Sequence, residues 1–148
     1  MNLKSEWMQS KTSLDSLNGG VTLLKRKILS AIFSSLLFAF IFSYSDFEMN
    51  GFLNLYYLNF IFVITYGLLA SIVSDWLGKK VFPTLTYGRE MFSLVLHCLF
   101  GLVFFLLSLV SAIIFFIVDR SLRKVEIKWW MVIVSLSVVL IVFIINVI

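Results

Sequence analysis

The sequence predicts an all-α integral membrane protein: a four-helix bundle with short loops and both termini on one side. Three observations lead there. Hydrophobic residues make up 61% of the 148 positions and charged residues only 14%, whereas a soluble domain carries about 25% charged residues. Mean hydropathy is +1.03. Finally, every Asp, Glu, Lys and Arg falls outside four apolar runs, 28–45, 52–74, 91–118 and 129–148, and about 20 such residues cross a hydrocarbon core. The chain therefore divides into a polar N-terminal segment, 1–27, and a four-span domain, 28–148.

Lys and Arg outnumber Asp and Glu by twelve to eight. With all of these charges in loops and ends, the excess suits anionic headgroups rather than nucleic acid. The longest basic cluster is Lys25, Arg26 and Lys27. The single cysteine, Cys98, has no internal disulfide partner.

In the N-terminal segment, Leu3, Trp7, Leu14 and Leu17 share one side of a helical wheel. This is the pattern of a short helix lying in the interface, which Gly19 and Gly20 would end. A solvated tail is the alternative. The first run, 28–45, follows the basic cluster directly, and that order also has the form of a signal peptide. The polar stretch before it and the run itself are both long for one. Ala31, Ser35, Ala39 and Ser43 put a small residue at every fourth place, which lets another backbone approach.

The acidic turn 46–51 is long enough only for a hairpin to the second run. There Asn59, Val63, Tyr66, Gly67, Ala70 and Ser74 form one stripe. The connection 75–90 holds Pro83, the one proline, and the interface aromatics Trp76 and Tyr87. In the third run, 91–118, Ser93, His97, Gly101, Ser108 and Ser111 recur at helical spacing and oppose a Leu, Val, Ile and Phe side. After the basic loop 119–128, Trp129 and Trp130 mark a membrane surface and open the fourth run.

Four spans place the N-terminal segment and the connection 75–90, with eight Lys and Arg, opposite the loop 119–128, with four. The positive-inside rule thus predicts both termini in the cytoplasm, with the last loop on the wrong side. Three explanations are open: the loop is tolerated, the protein inserts in both orientations, or 91–118 is a re-entrant pair of half-helices broken near Gly101. At about 42 Å against a core of about 30 Å, this run must otherwise tilt or protrude. Tilt is the simpler expectation, because half-helices strand backbone groups unless other protein covers them.

The residues 65–80, TYGLLASIVSDWLGKK, with the Pro83 turn after them, carry a Tyr66-Gly67, Ser71, Ser74-Asp75 pattern. In this, and in length and span order, the chain resembles a small family of uncharacterised four-span membrane proteins from Gram-positive spore formers and their prophages. The resemblance implies a plasma-membrane protein and carries over no catalytic residue.

No carboxylate lies within a span, which argues against an ion-coupled antiporter. No hydrolase, redox or phosphate-loop motif occurs, and one His beside one Cys makes no metal site. We therefore expect no enzyme, no cofactor and no metal. The candidate polar stripe inside the membrane is Asn59, Tyr66, Ser74, Ser93, His97 and Ser108. His97 is either a proton relay or ligand contact, or a histidine bonded to a neighbouring helix. The expected partners are the lipid bilayer and either a second copy or another membrane protein, in an immunity, accessory or regulatory role. A small oligomeric transporter or channel is the alternative.

Overall fold

The computed structural model describes residues 3–44, 48–102 and 105–147, without the side chains of 3–10, 12–17, 105, 146 and 147. Five helices make up the fold, with no strand among the described residues: α1 (Leu3–Phe42), α2 (Met49–Val81), α3 (Thr86–Leu102), α4 (Phe105–Leu122) and α5 (Trp129–Val147). By length and composition α2 is able to cross a membrane, and α5 contains a shorter apolar stretch, Trp129–Ile145.

The first departure from expectation is the run 91–118, which is two helices rather than one. Helices α3 and α4 fold back on each other in antiparallel register. Ser93 accepts a hydrogen bond from Arg120, and His97 meets the ring of Phe116. A Cβ on Gly101 would lie 3.0 Å from the Cβ of Ala112 and from the Cα of Leu109. Glycine thus permits the backbones to approach where any side chain would part them. Residues 103 and 104, between the two helices, lie outside the described residues. In a straight helix the polar stripe of this run would face one neighbour. Folded, its two halves face each other and also α1 and α2, so more of its serines gain partners.

The four-helix bundle is therefore a five-helix one, and its termini do not share a side. Helix α5 runs parallel to α1: Leu29 packs with Ile127 and Val132, and Ala39, Tyr56 and Tyr57 pack with Val139. The Tyr57 hydroxyl donates to the Val139 carbonyl at 3.4 Å, and its ring meets Phe143 edge-on. The C-terminal turns of α5 thus lie where α1 ends and α2 begins, opposite the end that α1 enters by. Nor do Gly19 and Gly20 stop a helix, since α1 runs straight through them. No atom lies within 4 Å of a Cβ built at either, so the helix tolerates them for about 1 kcal/mol each of propensity. The amphipathic face expected of Leu3, Trp7, Leu14 and Leu17 falls on side chains outside the described residues.

The interior of the bundle is rich in polar groups. Its most deeply buried side chains include Lys27, Ser30, Ser34, Ser35, Ser71, Ser74, Ser93 and Ser111, beside the apolar Leu29, Ala31, Ala39, Val63, Phe115 and Val132. Outward face large apolar groups such as Leu58, Leu106 and Ile145, each more than 70% exposed. The small-residue row Ala31, Ser35, Ala39 and Ser43 is buried throughout.

Within α2, Val63–Gly67 forms a π-turn. Such a turn holds one residue more than an α-turn, and so advances the face that follows it by roughly 100°. Thr65 takes up the loosened carbonyls, donating to Ile61 at 2.6 Å and to Phe62 at 3.3 Å. Beyond the π-turn the buried positions include Ser71, Asp75 and Gly78 as well as Ala70 and Ser74.

Candidate functional site

Among the charged residues that border the apolar runs directly are four, Lys27, Asp75, Glu90 and Asp119. The antiparallel helices bring all four to one end of the bundle. Lys27, wholly buried, lies 2.8 Å from Asp75 Oδ2, donates to Asp119 Oδ2 at 3.3 Å, and donates to Ser71 Oγ. Arg26 Nε donates to Asp119 Oδ1 at 2.9 Å. From α4, Arg120 donates to Asp75 Oδ1 at 3.1 Å and to Ser93 Oγ at 3.0 Å, and its Nε lies 2.5 Å from Glu90. Arg123 pairs with Glu90 and lies 3.6 Å from Asp75.

Four cations and three carboxylates from α1, α2, α3, α4 and the residue after α4 are thus cross-linked in one cluster. Burying such charges is costly alone and tolerable only when each finds a partner. The segments that carry all twelve Lys and Arg, 1–27, 75–90 and 119–128, lead into this same end. The fold-back of α3 and α4 brings the basic loop 119–128 to the same end as the other two basic segments, instead of to the opposite end where a straight third span would leave it.

A second polar group lies at mid-height. Asn59 donates from Nδ2 to Ser35 Oγ at 3.2 Å and accepts from Ser111 Oγ at 2.7 Å, tying α1, α2 and α4 together. Tyr66, at the π-turn, donates its hydroxyl to the Phe100 carbonyl of α3 at 3.2 Å. Ser74 bonds back to the Ala70 carbonyl at 2.7 Å within its own helix.

His97 sits between these two groups, 3% exposed. Its Nδ1 lies 2.8 Å from the Ser93 carbonyl; a carbonyl only accepts, so Nδ1 carries a proton, and in a neutral ring Nε2 is the acceptor. That Nε2 is buried without a hydrogen-bond partner. The ring stacks on Phe115. Beside it a cavity of about 20 Å³ is lined by Tyr66, Gly67, His97, Gly101, Ser108 and Ser111 among others, which is room for one water.

Of the six residues of the expected stripe, the fold brings Tyr66, His97 and Ser108 to this cavity. Asn59 lies in a separate three-helix bridge, Ser93 in the ion cluster, and Ser74 bonds only within its helix. The cluster of Arg26, Lys27, Asp75, Glu90, Asp119, Arg120 and Arg123 was missed by the stripe. Its signal was present in the opposite charges set directly against the run borders. Among the described residues no group of three His, Cys, Asp or Glu could hold a metal ion.

Comparison with known proteins adds no relative: no family model matches the chain, and neither a curated protein nor a solved structure matches it significantly.

Proposed function

We propose that the chain is a multi-pass protein of the cell membrane that acts without catalysis, through its helices, on another membrane component in an immunity, accessory or regulatory role. The observation that carries the membrane reading is the distribution of polarity: serines, Asn59, His97 and the ion pairs are buried, while many large Leu, Ile, Val and Phe side chains face outward. Water would strip such a bundle apart, whereas lipid solvates its exterior and strengthens every interior hydrogen bond.

In this reading α1, α2 and α5 cross the bilayer and the α3–α4 hairpin enters from the basic side. The uncharged part of α3, 91–102, is about 18 Å long and that of α4, 105–118, about 21 Å, against a core of about 30 Å. The hairpin is then re-entrant, with Leu102, Leu106 and Leu107 at the facing ends of its two helices exposed. All twelve Lys and Arg belong to one face, the cytoplasmic one. The C-terminus then lies on the opposite face, in place of the shared cytoplasmic side expected from four spans.

Helix α5 is the natural docking element for a partner. Of its described side chains only Val132 is buried, and Ile133, Val138, Leu140, Ile141 and Ile145 point outward, each more than half exposed. A small transporter or channel would need a pathway between copies, since the cavity beside His97 has room for only a single water.

Cysteine labelling in a Cys98→Ser background tests the topology at three exposed positions. With Asn50→Cys, Tyr87→Cys and Ser121→Cys, the last two react from the same side and Asn50→Cys from the other. Reaction of Ser121→Cys together with Asn50→Cys overturns the re-entrant hairpin. Photo-crosslinkers at Ile133 and Ile141 in native membranes should give an adduct of one defined mass that crosslinkers at Leu58 and Leu69 do not. No adduct confined to α5 removes the partner reading.

A further inference from the structure

The ion cluster leaves cations over, and they gather at one opening. An open cavity of about 300 Å³ is lined by Leu23, Arg26, Asp75, Lys79, Arg89 and Arg123. Four of these are cations. The one carboxylate, Asp75, is already shared among Lys27, Arg120 and Arg123. Lys79 and Arg89 have no carboxylate partner among the described residues.

Their juxtaposition is built into the backbone. Gly78 of α2 lies so close to α3 that a Cβ on it would come within 3.1 Å of Arg89 Cγ and 3.3 Å of the Arg89 carbonyl. The missing side chain lets the start of α3 rest on the last turns of α2, which sets Arg89 beside Lys79. One residue along the chain from Asp75 and two from Arg89, Trp76 and Tyr87 are 58% and 76% exposed, and Lys80 lies over the Trp76 ring. Exposed Trp and Tyr mark the headgroup level of a bilayer.

We infer that this cavity binds the phosphate of an anionic phospholipid headgroup, with Lys79 and Arg89 as its principal donors and Arg26 and Arg123 completing the positive wall. The volume is that of about ten waters, enough for a phosphate with a glycerol-sized substituent. Guanidinium groups match phosphate oxygens in planar, paired hydrogen bonds, and an ammonium supplies point charge. The aromatic level favours lipid over free phosphate as the source. The inference rests on the membrane reading above, which the labelling experiment tests independently of it.

The test uses the full chain in neutral maltoside micelles, titrated with dioctanoyl phosphatidylglycerol, with dioctanoyl phosphatidylcholine and with inorganic phosphate, and followed by native mass spectrometry. Phosphatidylglycerol should bind well ahead of the other two. Lys79→Gln with Arg89→Gln should weaken it about thirtyfold, from the loss of two surface cations. Arg89→Gln keeps the Cγ that packs on Gly78, and neither residue belongs to the ion cluster, so the fold is retained. Lys124→Gln with Lys128→Gln removes the same charge elsewhere and should change binding by less than about threefold. An equal loss in that control, no preference over phosphatidylcholine, or inorganic phosphate bound as tightly as the lipid would each overturn the assignment. If labelling supports the topology and lipid binding fails, only this inference falls.

Discussion

Replacing Lys27 by Met keeps most of the side-chain volume and removes the charge at the centre of the cluster. The Lys27 side chain is 0% exposed, and its partners Asp75 and Asp119 are 9% and 3% exposed. Removing one partner of a buried pair costs about 3–5 kcal/mol, because the other charge stays buried. Here Asp119 retains Arg26 at 2.9 Å and Asp75 retains Arg120 at 3.1 Å. The loss therefore belongs at the low end, about 3 kcal/mol, or about a hundredfold in the ratio of folded to unfolded chain. Reversible unfolding in mixed maltoside and dodecyl sulfate micelles, followed by far-UV circular dichroism, measures it. Lys80→Met, at an exposed position, serves as the control and should stay within about 0.5 kcal/mol of the parent. Adding Asp75→Asn to Lys27→Met should cost less than the two changes summed, by about 1 kcal/mol or more, because the pair is coupled. Lys27→Met as stable as the control, or strict additivity in the double variant, would refute a cluster held together at Lys27.

Three further changes probe the interior. Gly101→Ala places a methyl 3.0 Å from Ala112 and Leu109, and should destabilise by about 1–3 kcal/mol in the same assay; no loss would mean that α3 and α4 are not packed there. Asn59→Leu removes the bridge between Ser35 and Ser111 and should cost about 0.6–1.7 kcal/mol, the range for hydrogen bonds between helices in lipid. His97→Phe loses the bond to the Ser93 carbonyl but also the unpartnered Nε2. Its stability should stay within about 1.5 kcal/mol of the parent, and a larger loss would show that Nε2 holds a partner in solution.

The helical class and the start of α5 were legible in the apolar runs, because the absence of charge over about 20 residues leaves few other structures, while α2 runs on to Val81, seven residues past the run 52–74. The same signal concealed the reversal inside 91–118. The run is uncharged throughout and carries no Pro, Asn or Asp, so hydropathy cannot tell a tilted rod from a hairpin. The imbalance of Lys and Arg was the better clue, since only a fold-back gathers all twelve on one side. The polar stripe was readable within single helices and failed between them. Ser93 and His97 do share a face of α3, yet Ser93 turned out to serve the ion cluster through Asp75 and Arg120. Asp75 and Ser71 were off the expected stripe of α2 because a wheel drawn at constant pitch ignores the π-turn.

That extra residue in α2 acts as a phase-setter. Asn59, before it, faces Ser35 and Ser111, while Ser71 and Asp75, after it, face Lys27. Excising Thr65 would let the rod relax to uniform winding and improve it locally, yet twist one half relative to the other by roughly 100°. Either the amide bridge or the ammonium would then lose its mates. A chain one link shorter would own a better helix and a worse protein.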